Sequence, residues 1–205
     1  MLKIWGRLNS INVQKAMFCI EELGLAHERF DAGMEHGVTK TPEYMAMNPN
    51  SRVPVIDDDG FTLWESNVIV RYLAAKHSPG RLWPMDPQAR ADIDRWMDWQ
   101  QTAHNPPLTT LFWGLVRRPG TRPAGEIGTA RELMAGLTAM LEARLEGRAY
   151  MGGDAFTMAD CVIAPAIHRW RHVPFERAAS PNIERYYQSV MSRPAAQKLL
   201  TLPLT

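Results

Sequence analysis

Three short stretches in the first third of the chain carry residue types that could hold a small peptide-like molecule. The first is Asn48-Pro49-Asn50-Ser51-Arg52-Val53-Pro54-Val55-Ile56. A proline within a strand cannot donate its ladder hydrogen bond, so the strand must lie at an edge or be interrupted there. If the Val53–Pro54 bond is cis, the chain turns and the Val53 N–H and C=O face outward, where an extended peptide can pair with them. A trans proline closing a loop is the commoner use of such a residue. The second stretch is Glu65-Ser66-Asn67, at the junction of a strand and a helix. A helix N-terminus presents unpaired N–H groups and the positive end of the dipole, and so holds carboxylates. Ser66 would grip a carboxylate there and Glu65 an ammonium, which together recognise an α-amino acid head group. Plain N-capping by Ser66 explains the same residues. The third is Asn9-Ser10-Ile11-Asn12, at the start of the first helical pattern. A hydroxyl in that place, helped by the dipole, can hydrogen-bond an anion, or Ser10 or Asn12 can cap the helix.

The elements that must position these residues alternate. Lys3 to Gly6 reads as a buried strand. Val13, Ala16, Met17, Ile20 and Leu23 recur at helical spacing, and Gly24 ends that helix as a C′ residue. Glu28 to Asp31 reads as a second strand. Val53 to Asp57 and Phe61 to Trp64 flank Asp58-Asp59-Gly60, and an Asp-Gly pair signals a tight hairpin. A further helix follows, with Val68, Ile69, Tyr72 and Leu73 as its expected inner stripe. The order is β-α-β, a loop, then β-β-α.

Ser78-Pro79-Gly80 and the prolines up to Pro87 mark residues 79–87 as a linker between a unit over 1–78 and one over 88–205. The second unit is expected to be all-helical. Its first helix, with Ile93, Trp96, Met97 and Gln100, should break or kink at Pro106-Pro107. The period resumes at Leu108, Leu111, Phe112 and Leu115. Ile127, Ala130, Met134, Leu137, Leu141 and Leu145 form one amphipathic stripe. Helices are also expected over 158–171, 182–192 and 195–200. Thr157-Met158-Ala159-Asp160 has the form of a capping box, a folding signal.

Composition bounds the function. The chain has 205 residues, 45% hydrophobic and 22% charged, which suits a globular protein. A net charge of +1 offers no field for nucleic acid. There is no signal-peptide core and no apolar run long enough to span a bilayer, so a cytoplasmic protein without a membrane partner is expected. Cys19 and Cys161 stand in no metal-like spacing and read as reduced core thiols. His36, His168 and His172 lack ligand spacing, and no metal is expected.

Over essentially its whole length the sequence resembles the cytosolic glutathione transferase superfamily. The resemblance is carried by "GRLNSINVQKAMFCIEELGL", "MNPNSRVPVIDDDGFTLWESNVIVRYLAAKH" and "FTMADCVIAP", and bacterial members with a serine and an asparagine near the start are the nearest in pattern. It implies a thioredoxin-like α/β N-terminal domain followed by an all-α domain, in a homodimer. Glutathione would act as co-substrate on the first domain, and a small hydrophobic electrophile would be held against the second. By the same resemblance, Ser10 matches the serine that hydrogen-bonds the glutathione thiolate, with Asn12 its rival. Val53 matches the residue pairing with the cysteinyl unit and Pro54 the cis-proline after it. Glu65 and Ser66 match the pair on the γ-glutamyl end, while Lys40 and Arg52 stand near the glycyl carboxylate. His104, Trp113 and Arg117 lie on the helical run that faces the electrophile in relatives. Trp96 and Trp99 are assigned to the core and an interface. No cysteine adjoins Ser10 and no "SSC" motif is present, which argues against two other branches of the superfamily. A glutathione-dependent peroxide or disulfide reductase, and a non-enzymatic glutathione-binding protein, are the rival readings.

Overall fold

The computed structural model describes residues 1–204 of the chain. The first part runs β1 (Leu2–Trp5), α1 (Ile11–Glu22), β2 (His27–Phe30), α2 (Pro42–Met47), β3 (Val55–Asp58), β4 (Phe61–Trp64) and α3 (Ser66–His77). The strands form one mixed sheet in the order β2-β1-β3-β4, with β1 parallel to β2 and antiparallel to β3, and β3 antiparallel to β4. This is the thioredoxin-like arrangement.

Local chemistry accounts for the joints. Gly6 ends β1 where a Cβ would meet Val13 Cγ2 at 2.4 Å, so only glycine lets β1 and α1 approach so closely. Asp59 and Gly60 take φ of 52° and 94°, the paired positive values that a two-residue hairpin demands. Gly24 has φ 64° just beyond α1 and accepts the left-handed turn there. Helix α1 is buried on nearly every side, because it packs against α3 and against the helices over Met158–His172 and Pro194–Leu199.

Two expectations in this part need correction. The segment before β3 is not all loop: a 3₁₀ turn occupies Met34–His36 and α2 occupies Pro42–Met47, with Thr41 Oγ1 accepting from the Tyr44 N–H at 3.3 Å. Six residues are too few to show a helical period. The inner stripe of α3 is Ile69, Val70, Leu73 and Ala74, whereas Val68 is 41% exposed. The stripe is rotated by one position from the one the sequence suggested, and Val68 faces outward beside β4.

From Pro87 the chain is helical: α4 (Pro87–Trp99), α5 (Asn105–Phe112), α6 (Ala124–Arg144), α7 (Met158–His172), α8 (Pro181–Met191) and α9 (Pro194–Leu199). The expected break at Pro106-Pro107 does not occur. A π-helical turn over Gln100–His104 joins α4 to α5, and a second over Trp113–Arg117 extends α5. A wider turn relieves the clash of a proline ring with the preceding carbonyls, and the prolines sit in the first turn of α5, where missing N–H groups cost little. Arg71 of α3 reaches Asp94 at 2.7 Å and Asp98 at 2.5 Å on α4, fastening the two parts together. The capping box forms at α7: Asp160 accepts from the Thr157 N–H at 2.8 Å and hydroxyl at 3.0 Å.

Candidate active site

Ser10 occupies the N-cap position of α1, in extended conformation, and is 9% exposed. Its carbonyl accepts from the Gln14 N–H at 2.9 Å, yet its side chain makes no capping bond. The hydroxyl is therefore left at a helix N-terminus with its hydrogen-bonding capacity uncommitted to the fold. Asn12, in the first turn of the same helix, has a buried Oδ1 without a partner. A polar atom in that condition costs free energy unless something else supplies the hydrogen bond.

The Val53–Pro54 bond is cis. The preceding loop is tied by the Tyr44 hydroxyl and Asn48 Nδ2, which both donate to the Arg52 carbonyl at 2.7 and 2.9 Å. Strand β3 begins only at Val55, so Val53 lies outside the ladder. Lys40 and Arg52 are exposed.

At the start of α3, Glu65 rather than Ser66 holds the N-cap position, with φ 73° and no side-chain cap bond. A non-glycine residue in the left-handed region is strained, and such positions cluster where a ligand is gripped. Ser66 is buried at the first helical position. Asn67 donates to the Met97 carbonyl at 2.7 Å, fixing this corner to α4.

Beneath these elements lies Lys15, which sequence reasoning missed. No part of it is exposed, and Nζ donates to Gln101 Oε1 at 2.9 Å. Burial, the nearby Arg169 and, in opposition, Glu65 together bring its pKa down to about 7. The available signal was a lysine amid the apolar run Val13–Ile20. His104, expected toward the electrophile, is instead interior. Its ring packs on Trp99 at 5.3 Å, and burial together with Lys15 depresses its pKa to about 4. Trp113 and Arg117 do meet, with the guanidinium 5.1 Å from the ring centroid. Trp96 and Trp99 stack edge to face at 5.1 Å. Arg7, whose carbonyl accepts from the Ser10 N–H at 3.2 Å, and Arg169, whose Nη2 donates to the Asn9 carbonyl at 3.3 Å, were not singled out from the sequence either; their signal is a charge placed in a turn and in an apolar helix. Among the described residues, no group of three or more His, Cys, Asp or Glu is placed to hold a metal ion, and no helix is long and apolar enough to cross a membrane.

Residues 1–75 match the family model for the glutathione S-transferase N-terminal domain, and residues 121–189 match that for the C-terminal domain. Glutathione S-transferase GstB of Escherichia coli is 38% identical, with all of both chains covered. The chain belongs to the glutathione S-transferase family. Glutathione S-transferase 3 of Zea mays is 31% identical over 99% of this chain and 95% of its own. The theta class glutathione S-transferase of Xanthomonas axonopodis pv. citri, solved with glutathione bound, superposes with a TM-score of 0.95 at 40% identity over 100% and 99% of the two chains. As a glutathione S-transferase, the chain is an enzyme on the thioredoxin-like fold with an all-helical C-terminal part.

Proposed function

We propose that the enzyme binds glutathione across Ser10, Val53 and Glu65-Ser66 and ionises its thiol for attack on a small electrophile. The observation that carries this reading is the Ser10 hydroxyl, at a helix N-terminus and engaged in no capping bond. A free thiol has a pKa of ~8.5, so only a few per cent is thiolate at neutral pH. A hydroxyl donating to the sulfur, with the dipole of α1 behind it, favours the anion and lowers that pKa. Asn12 is the second group within the same turn able to serve the sulfur. Val53, outside the strand ladder, offers its backbone to the cysteinyl unit. Glu65 and Ser66 take the ammonium and carboxylate of the γ-glutamyl end, and Lys40 and Arg52 stand toward the glycyl carboxylate. The electrophile then needs only to be held with its reacting carbon near the sulfur, on the side of Trp113 and Arg117.

The unit over 1–78 carries the glutathione residues, 79–87 serves as the linker, and the helices over 88–205 supply the electrophile side. A homodimer accords with Phe61, Trp64 and Val68, large apolar side chains exposed on β4 and α3. The buried, unpaired thiols Cys19 and Cys161 accord with a reducing compartment such as the cytoplasm.

Ultraviolet titration of glutathione in the binary complex tests the reading. The bound thiol should ionise below the free one, and a benzyl chloride should yield the glutathione conjugate. A bound thiol that titrates like free glutathione defeats it. Oxidised glutathione as sole product would make the enzyme a reductase, and binding without any turnover would leave a glutathione-binding protein.

A further inference from the structure

A wholly buried lysine lies on the helix that starts at Ser10. Lys15 stands on α1 five residues after Ser10, roughly 7.5 Å of helix rise. Helical side chains lean back toward the N-terminus, so the Lys15 stem runs toward the turn that holds Ser10 and Asn12. Nζ donates to Gln101 Oε1 at 2.9 Å, which ties α1 to the first π-turn. As a neutral amine, Nζ makes that bond and keeps a lone pair. As an ammonium it has two further donors, for which no other hydrogen bond forms among the described residues. Packing alone does not call for a lysine here, since methionine fills similar space without a charge to desolvate.

The charged and titratable groups that face Lys15 come from the neighbouring elements. Arg169 of α7 repels the ammonium, and Glu65 at the start of α3 attracts it. His104, on the π-turn, is neutral near pH 7, because burial and Lys15 hold its pKa at about 4. At the far end of α1, Glu22 and Glu21 pair with Arg193 and Lys198 of the α9 segment. Burial first, then Arg169, set against Glu65, bring the Lys15 pKa to about 7. Near neutral pH the amine is therefore part-protonated and responsive to one more charge. The γ-glutamyl end brings an ammonium and a carboxylate to Glu65 and Ser66, and these nearly cancel. The glycyl carboxylate lies toward the exposed Lys40 and Arg52, where salt screens it. The thiolate beside Ser10 is the net charge that arrives. At ~10 Å and an effective dielectric of ~20, a unit charge moves a pKa by roughly one unit.

We propose that Lys15 takes up the proton that bound glutathione gives up, so that the thiolate and a buried ammonium form together as opposite charges along α1. The proposal rests on the thiolate reading above and adds the destination of the thiol proton. The S–H bond breaks with its electron pair left on sulfur, and a proton joins the Nζ lone pair. Charge rather than contact couples the two events, and solvent carries the proton between them. The ammonium in turn favours the thiolate, since such a coupling is reciprocal. Lys15 touches neither sulfur nor electrophile, and Ser10 remains the residue at the sulfur.

The test counts protons. Glutathione and S-methylglutathione are bound in turn at pH ~7.5 in weak buffer with a pH indicator, and thiolate is read by ultraviolet absorbance. The difference between the two ligands isolates the thiol. With Lys15 moving from about 7 to roughly 8, the wild type should release about half a proton per thiolate formed. Lys15→Met should release about one proton and raise the bound thiol pKa by roughly one unit. Lys15→Arg stays charged throughout, so it should also release about one proton while keeping the thiol pKa low. Should neither variant fold, Gln101→Glu sets a carboxylate against Nζ. The ammonium is then present from the start, so release should rise to about one proton and the thiol pKa should rise with it. A full proton per thiolate in the wild type overturns the proposal and leaves activation by Ser10 standing. A thiol pKa unmoved in Lys15→Met overturns it too. If KM for glutathione rises while that pKa stays put, Lys15 belongs to the packing of α1, which overturns the proposal. A wild-type thiol that titrates like free glutathione overturns the thiolate reading and the proposal with it.

Discussion

Lys15 Nζ donates to Gln101 Oε1 at 2.9 Å, and that bond holds a wholly buried ammonium between α1 and the first π-turn. Its pKa stands at about 7 in the fold against 10.5 ordinarily, chiefly through burial. Between these two values the unfolded chain binds a proton that the folded chain does not, so stability should rise with pH across that window, with a slope approaching ~1.4 kcal/mol per pH unit. Below the folded pKa both states are protonated and the cost of the buried charge is constant. Lys15→Met should flatten the rise. Urea midpoints of both proteins between neutral pH and pH ~10 check this, other titrating groups being common to the two. Parallel curves would show that Lys15 is not the group responsible.

Ser66 lies at the first position of α3, buried, under the strained Glu65. A carboxylate grip at that end is remote from the sulfur and serves ground state and transition state alike. Ser66→Ala should therefore raise KM for glutathione by roughly three- to tenfold, one hydrogen bond's worth, and lower kcat less. Steady-state kinetics with glutathione as the varied substrate decides it. A loss of kcat at unchanged KM would place Ser66 at the reacting end.

How much of this was legible beforehand depends on whether a feature is local. Gly24, Asp59-Gly60 and the Thr157–Asp160 box each impose a backbone demand that one or two residues state by themselves, and all three stand where expected. The helix stripe on α3 was placed one residue off because Val68, Ile69 and Val70 are all apolar, and only packing against the neighbouring elements decides which faces inward. Pro106-Pro107 misled because a π-turn accommodates the prolines, and nothing in local propensity encodes a π-turn. Ser10, Val53-Pro54 and Glu65-Ser66 were visible as motifs. Arg169 was not, since its partner Asn9 lies 160 residues away and Phe112 belongs to another helix. His104 was misplaced for the same reason: its direction is set by Trp99 and Lys15, not by its sequence neighbours.

Asp160 is fully buried and accepts hydrogen bonds from the Met151 N–H, the Thr157 N–H and the Thr157 hydroxyl. Asp160→Ala leaves two buried N–H groups unpaired and should cost roughly 2–5 kcal/mol of stability. Asp160→Asn keeps an acceptor and should cost less. Burial pushes the carboxyl pKa up to about 6, against the opposing hydrogen bonds. The folded pKa exceeds the ordinary 3.8, so this group's contribution is greatest in acid and is lost as pH rises through about 6. Denaturation midpoints of the three proteins on either side of that pH test both points. An alanine variant as stable as the wild type would mean that the box does not organise the start of α7.

Ser10 and Asn12 stand two residues apart at the start of α1, the one with a hydroxyl that caps nothing, the other with a buried Oδ1 lacking a partner. A hydrogen bond to a charged group contributes roughly 1.5–3 kcal/mol, and one pKa unit corresponds to about 1.4 kcal/mol. Ser10→Ala should accordingly raise the pKa of bound glutathione by about one to two units, with little change in glutathione affinity. Below the wild-type pKa the rate should fall on the order of ten- to a hundredfold, because the thiolate fraction falls by that factor. Well above both values the thiolate forms without help, and the two rates should converge. Paired pH–rate profiles and ultraviolet titrations of the wild type, Ser10→Ala and Asn12→Ala measure all of this. A shift seen only in Asn12→Ala moves the sulfur contact to Asn12. A profile that stays in place in both variants removes thiolate activation from this end of α1.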